Sequence, residues 1–293
     1  MSEEREHDFA MEKRLREMSP ELHRRFTDAV FGLQKILSNY KLIFPEYTDH
    51  SELHSLTVID FCNNLMGKQV KKLNADELYA LLVACYFHDT GMGISHKDYE
   101  QFSKEIDFGD YFETHSRDNL QEIIRNFHNE FSGRFIKKYA PFFEIPSEEH
   151  LWAIMQIARG HRKTKLMDEK EYPVNYKVPG GNEICLPYLA ALIRLADEID
   201  VAAFRNSKLL YHLEAIVDEK QIVEHKRHQA VKDLIISEKA FTLLVDTQEE
   251  EIKSSIFRMA EKMQITLDDC RRVIEEHTPY MITQEKIIVE TMA

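Results

Sequence analysis

The sequence has few glycines, prolines and cysteines, and it has no long hydrophobic run. Its 293 residues include 9 Gly, 8 Pro and 4 Cys, and 43% are apolar and 30% charged. This composition excludes wholesale disorder, a collagen-like repeat and a small disulfide scaffold. The longest apolar runs, such as 78–87, have about ten residues, whereas a membrane span needs about 20. We therefore expect a substantial buried core and no membrane-spanning helix.

The cysteines are scattered, and the first residues contain no apolar stretch. Cys62, Cys85, Cys185 and Cys270 form no CxxC pair, which fits buried thiols in a reducing compartment. The opening residues, MSEERE, are charged, so no signal peptide is visible. Together these features predict a cytoplasmic protein.

Basic residues are outnumbered, with 38 Lys and Arg against 51 Asp and Glu and a net charge of −13. This balance argues against nucleic acid as a partner, because such binders gain affinity mainly by neutralising phosphates. A small anionic ligand held by a few local bases is compatible with it. A protein partner or a homo-oligomer stays open.

Helical periodicity dominates the chain up to about residue 207. Ser19 and Pro20 are a typical N-cap and first helical residue, and Asn74 with Glu77 forms a capping-box pattern. The predicted helices lie at 1–18, 20–37, 50–66, 74–89, 116–139, 148–160 and 186–200, and a loop is predicted at 166–183.

The pattern changes after residue 208. A strand pair is predicted at 234–236 and 241–245, followed by a helix at 248–276 and a strand at 286–290. We therefore expect a mainly α protein: an N-terminal helical segment (1–45), a helical domain (46–207) and a small C-terminal α+β subdomain (208–293).

Two acidic residues stand out in apolar surroundings. His88 and Asp89 end an almost wholly apolar helix, where an unpaired carboxylate would be costly to bury. A bound cation would compensate this charge, and so would a capping or salt-bridge role for Asp89. Asp197 lies among the apolar residues of another helix, where the alternative is an ion pair with Arg194 one turn away.

The order His54, His88-Asp89, Asp197 resembles the H…HD…D signature of the HD-domain metal-dependent phosphohydrolase superfamily. The segments around it, CYFHDTGM, IARGH and RLADEID, are most similar to its HD-CE group. The resemblance covers about 46–207 and implies an HD-type helical bundle. It also implies that His54, His88, Asp89 and Asp197 bind a divalent metal, with His88 and Asp89 in the catalytic centre.

The resemblance further implies a second metal, completed by His128 and His161. From the residues alone, His128 could be a histidine on a polar helix face, and His161 could cap carbonyls at a helix end. Imidazole and carboxylate ligands suit Mn, Fe, Mg, Co, Ni or Zn ions, and no cysteine is placed to make a structural zinc site.

Three further residues are candidates for substrate contact. Arg162 and Lys163 directly follow His161 within the basic run 159–165. This run either binds phosphate or forms a solvated face. His50 precedes His54 by one helical turn and either is a surface histidine or, as we expect, supports the metal site or contacts the substrate.

The resemblance implies a metal-dependent hydrolase of a phosphomonoester or phosphodiester, with a nucleotide as the expected small phosphorylated substrate. Two alternatives stay open. Some HD-type proteins use a similar ligand set with two irons to activate oxygen, as inositol oxygenase does. The chain could also be a regulatory module that binds a nucleotide or a protein partner without turnover.

Overall fold

The N-terminal helices rest on the helical core. The structure is a computed structural model that describes residues 9–37, 40–44, 52–201 and 219–292. It begins with α1 (Ala10–Met18), α2 (Pro20–Leu37) and α3 (Tyr40–Ile43). Ser19 accepts a hydrogen bond at its Oγ from the backbone N–H of Leu22, at 3.3 Å, which confirms its predicted role as a helix cap.

The central helix is α5 (Ala75–Phe87), which is buried from Asp76 onwards and apolar on all sides after its first turn. Asn74 and Glu77 form the predicted capping box at its start, with two reciprocal hydrogen bonds of 3.0 Å. A helix that is hydrophobic all round requires neighbours on every side. These neighbours include α1, α2, α4 (Glu52–Met66), α9 (Glu148–Arg159) and α10 (Leu186–Ile199).

The other helices before the C-terminal region are α6 (His96–Phe102), α7 (Tyr111–Thr114) and α8 (Leu120–Tyr139). Short 3₁₀ turns occupy Gly67–Lys72, Thr90–Gly93 and Ala140–Phe142. The prediction of a loop over 166–183 was wrong in one part. Strands β1 (Tyr176–Lys177) and β2 (Glu183–Ile184) form a small antiparallel pair, and Gly180 and Gly181 supply the positive φ angles of the turn between them.

The C-terminal region adds a helix pair and a three-stranded sheet. Its elements are α11 (Glu219–Ala230), β3 (Val231–Ile236), β4 (Ala240–Val245), α12 (Glu250–His277) and β5 (Lys286–Thr291). β3 and β4 are antiparallel, as a hairpin requires. β4 and β5 are parallel, and α12 provides the crossover between them.

The predicted mainly α architecture with a small C-terminal α+β part is therefore confirmed. α12 packs along α10, which joins the sheet region to the helical core. The predicted division at 207/208 stays a prediction, because it falls outside the described residues. All four cysteines lie within them, and each is a buried free thiol as predicted. No helix in the described ranges has the length and apolar character needed to cross a membrane.

Candidate metal centre

Six side chains from distant parts of the sequence meet on one side of α5. They come from α4, the end of α5 and the turn after it, α8, the segment directly after α9, and α10. Five of them are at most 4% exposed, and the Asp197 side chain is 22% exposed. In chain order the six are His54, His88, Asp89, His128, His161 and Asp197.

The turn after α5 is tied directly to α8. The Ser132 hydroxyl donates to the His88 carbonyl at 2.6 Å and accepts from the Gly91 N–H at 2.8 Å. Gly91 lies so close to α8 that an added Cβ would stand 2.2 Å from the His128 carbonyl oxygen. Glycine is therefore needed here for close approach, and this approach brings Asp89 beside His128.

One carboxylate oxygen of Asp89 faces a first group of ligand atoms. Asp89 Oδ2 lies 3.4 Å from the Nε2 atoms of both His54 and His88. Asp197 Oδ1 completes this group, at 3.2 Å from His54 Nε2 and 3.9 Å from His88 Nε2. The geometry brings together the four residues of the H…HD…D order.

The other oxygen of Asp89 faces a second group. Asp89 Oδ1 lies 3.3 Å from His128 Nε2 and 3.8 Å from His161 Nε2. In each triad that contains Asp89 and two histidines, the candidate ligand atoms all lie within 4.8 Å of one another. Asp89 is the residue that the two triads share, with one carboxylate oxygen facing each pair of histidines.

The four histidines are all held by their Nδ1 atoms. An Nδ1–H that donates to an oxygen leaves Nε2 as a lone-pair acceptor, which is the form that binds metals. The Nδ1 contacts are His54 to Asp200 Oδ2 (2.6 Å), His88 to the Cys85 carbonyl (2.7 Å), His128 to the Arg125 carbonyl (2.8 Å) and His161 to the Ala158 carbonyl (2.6 Å).

This arrangement fits bound cations. The Nε2 atoms of His54 and His88 are 3.1 Å apart, and those of His128 and His161 are 2.9 Å apart. Because Nδ1 carries the proton in each ring, the Nε2 lone pairs of the two histidines in each pair face and repel each other. A cation between the rings turns this repulsion into coordination, so the residues present match a divalent metal.

The local electrostatics favour the ligand forms of these groups. Burial, with the charge of Arg162, lowers the pKa of His128 well below its ordinary value. Burial lowers the pKa of His161 to about 4. Burial alone would raise the pKa of Asp197, but its close contact with the His54 ring holds that pKa well below the ordinary value. Neutral imidazoles and an ionised carboxylate are the forms that metals require.

Asp200 belongs to the site, and sequence reasoning missed it. It is 1% exposed and holds His54 Nδ1, although the two residues are 146 positions apart in the chain. The available signal was its spacing: Asp200 follows Asp197 by three residues, close to one helical turn. It acts as a positioning residue that fixes the His54 ring and its protonation.

Asp200→Asn should weaken metal binding without removing a ligand. Loss of such a supporting carboxylate typically costs about 10- to 100-fold in metal affinity. A competition titration against a fluorescent chelator would measure this change, with the exposed Asp60→Asn as control. Wild-type affinity in Asp200→Asn would contradict the positioning role, and melting of the metal-free proteins would separate it from a loss of stability.

Arg194 does not form the intrahelical ion pair considered as the alternative for Asp197. Its guanidinium instead donates to the Gly160 carbonyl at 2.8 Å and to the Thr164 carbonyl and hydroxyl at 2.9 Å. Asn129 adds a 3.2 Å hydrogen bond to the Arg162 carbonyl. These contacts hold the segment that carries His161 and Arg162 against α8 and α10.

The residues of the basic run 159–165 have separate roles. Arg159 pairs with Glu130, and Lys163 donates to the Asn126 side chain at 3.2 Å. Arg162 lines a cavity of about 320 Å³ beside the metal-ligand cluster, and Lys163 does not. His50, the other predicted substrate contact, lies outside the described residues.

That cavity is open to the metal-ligand cluster and carries several cations. His128, Asp197 and Asp200 contribute to its lining, so the two share residues. The cations that line it come from the helical core and from the C-terminal region alike; they are Arg125, Arg162, Arg227, Arg258 and Lys262. Against the four carboxylates of the same lining, these five cations leave a small local excess of positive charge in a protein of net charge −13.

Comparison with known families identifies the family of this chain. The HD-CE family model matches residues 44–279, which is most of the chain and includes all six candidate ligands and α12. The protein therefore belongs to the HD-CE family, a group of HD-type proteins. No curated protein and no solved structure matches the chain.

Proposed function

We propose that this protein is a metal-dependent phosphohydrolase that cleaves a phosphomonoester or phosphodiester bond in a nucleotide. The observation that carries the proposal is the position of Asp89, between two sets of histidine Nε2 atoms at the wall of a cation-lined cavity. Such a site combines metal ligands with the charge needed to hold a phosphoryl group.

In this proposal two divalent ions share Asp89. His54, His88 and Asp197 would hold one ion, and His128 and His161 the other. Divalent ions in such a site lower the pKa of bound water towards about 7 and offset negative charge on phosphoryl oxygens. Asp200 keeps His54 in the ligand form, and the Ser132 contacts keep Asp89 directed between the histidine pairs.

The cavity supports a small ligand rather than a polymer. Its volume of about 320 Å³ is at the lower end of the range for small-molecule sites, about 300–1,000 Å³. Arg162 contributes a planar guanidinium, which matches phosphate oxygens in two-point contacts. We therefore assign Arg162 to the phosphoryl group that is cleaved, and we keep Lys163 as an outer contact.

A phosphate-release screen over nucleoside mono-, di- and triphosphates and cyclic nucleotides tests the proposal. Each substrate would be assayed with Mn, Fe, Mg, Co, Ni or Zn and with chelator. We expect metal-dependent release from at least one substrate, abolished by chelator and restored by metal. Nucleotide binding without turnover under every metal would favour a regulatory module. A mixed-valent di-iron EPR signal without phosphate release would favour an oxygenase.

Arg162→Ala should raise KM for the phosphorylated substrate about tenfold or more. Loss of a charged hydrogen bond in a partly desolvated site costs about 1.5–3 kcal/mol, and 1.4 kcal/mol corresponds to a factor of ten. Metal content should not change, because the Arg162 side chain is not among the candidate ligand groups. Steady-state kinetics and metal analysis measure the two effects.

Lys165→Ala is the matched control, because Lys165 lies in the same basic run but is exposed and does not line the cavity. If Arg162→Ala keeps wild-type kcat and KM, Arg162 belongs to a solvated face and its assignment fails. The metal assignment would survive that result.

A further inference from the structure

The wall of the cavity opposite the helical core is formed by two helices of the C-terminal region. On α12, Ser255, Arg258 and Lys262 follow one another at helical spacing and all line the cavity. On α11, Glu224 and Arg227 do the same. The polar faces of both helices are therefore directed towards the cavity beside the metal site.

The acidic residues that line the cavity already have hydrogen-bond or ion-pair partners. Glu198 pairs with Lys262 at 2.8 Å. Glu224 contacts both Arg227 and His228. Asp197 and Asp200 both contact His54. The local carboxylates thus have partners among the described residues, and the five cations of the lining outnumber its four carboxylates by one.

Two arginines differ from the other cations of this lining. The guanidinium groups of Arg162 and Arg258 line the cavity but make no hydrogen bond or ion pair with any residue that the structure describes. Arg162 extends from the segment that carries His161, whereas Arg258 belongs to α12. The cavity therefore has one such cation on the metal side and another on the C-terminal side.

A buried donor supports the same wall. Arg227 Nε is inaccessible to solvent and has no hydrogen-bond partner among the described residues, although its terminal nitrogens contact Glu224 and Ser255. An unsatisfied buried donor is unfavourable, and a bound anion would satisfy it. Arg227 and Arg258 thus offer an anion one buried donor and one guanidinium without a protein partner.

We propose that Arg227 and Arg258 form a second anion subsite, so that the ligand carries at least two phosphoryl groups, as a nucleoside polyphosphate does. One phosphoryl group lies at the metal-ligand cluster near Arg162, and another is bound by the face of α11 and α12. This inference rests on the proposed function for the role of the first group. The second subsite depends only on the cations of the C-terminal wall.

Calorimetric binding of two probes tests this subsite without turnover. The probes are inorganic tripolyphosphate and inorganic phosphate, titrated into the full-length protein with Mn²⁺ present. Tripolyphosphate reaches both subsites and phosphate only one, so we expect the wild type to bind tripolyphosphate at least tenfold more tightly. Arg258→Gln should weaken tripolyphosphate binding about tenfold and change phosphate binding less than twofold.

Arg272→Gln is the matched control, because Arg272 is also on α12 but pairs with Asp269 and does not line the cavity. Arg162→Gln should weaken the binding of both probes. The second subsite is refuted if Arg258→Gln leaves tripolyphosphate binding unchanged or weakens the binding of both probes equally. It is also refuted if the wild type binds the two probes with the same affinity. If the probes behave as expected but the phosphate-release screen is negative, the subsite stands and the hydrolase assignment fails.

Discussion

Asp89→Asn should lose most of the bound metal and all of the activity. The substitution keeps the size of the side chain but removes the charge that both ligand groups share. Asp89 is 4% exposed, and its two oxygens lie 3.3–3.8 Å from four histidine Nε2 atoms. A neutral amide offers one weaker oxygen ligand and one N–H₂ group, which cannot bind a metal in the same way.

Metal analysis of purified Asp89→Asn, together with its rate of phosphate release, measures this prediction. The exposed Asp110→Asn is a control for the change of a carboxylate to an amide. Retention of wild-type metal content by Asp89→Asn would mean that Asp89 is not a ligand, and the HD-type site would have to be reassigned.

His128→Ala and His161→Ala should each leave about one metal per chain instead of two. Both residues approach only Oδ1 of Asp89, whereas His54 and His88 approach Oδ2. Removing either residue therefore leaves the first group intact. Activity should fall sharply, because one ion alone cannot stabilise both the attacking and the leaving oxygen.

The reciprocal variant, His54→Ala, should also lose one ion, but this ion should be lost from the first ligand group, at Oδ2 of Asp89. His96→Ala is a suitable control, since this histidine is exposed and pairs only with Glu100 among the described residues. Two ions in both His128→Ala and His161→Ala would leave a mononuclear site and return these histidines to structural roles.

Much of the helical core was predictable because its signals are local. The apolar runs and caps define helices such as α5, and the Asn74–Glu77 capping box forms as expected. The strands β3 and β4 follow from two apolar segments close in sequence. α11 was missed because 9 of its 12 residues are Glu, Lys, Arg, Gln or His and its apolar residues form no continuous stripe.

The site was predictable only in part, because much of it depends on tertiary contacts. The order H…HD…D identifies candidate ligands, but nothing local indicates that Asp200 holds His54 across 146 residues. For the same reason the partners of Arg194 were not predicted. Its local sequence offered an ion pair with Asp197, but in the fold its guanidinium donates to Gly160 and Thr164. The cavity also required the fold, since Arg162 and Arg258 are distant in sequence.

Metal titration of chelator-treated wild-type protein tests the dinuclear centre most directly. Isothermal calorimetry with Mn²⁺, combined with elemental analysis after gel filtration, would give the number of bound ions per chain. The arrangement around Asp89 predicts two ions, with one lost in His161→Ala. The absence of saturable binding for any of the divalent metals would contradict the metal centre and, with it, the proposed hydrolysis.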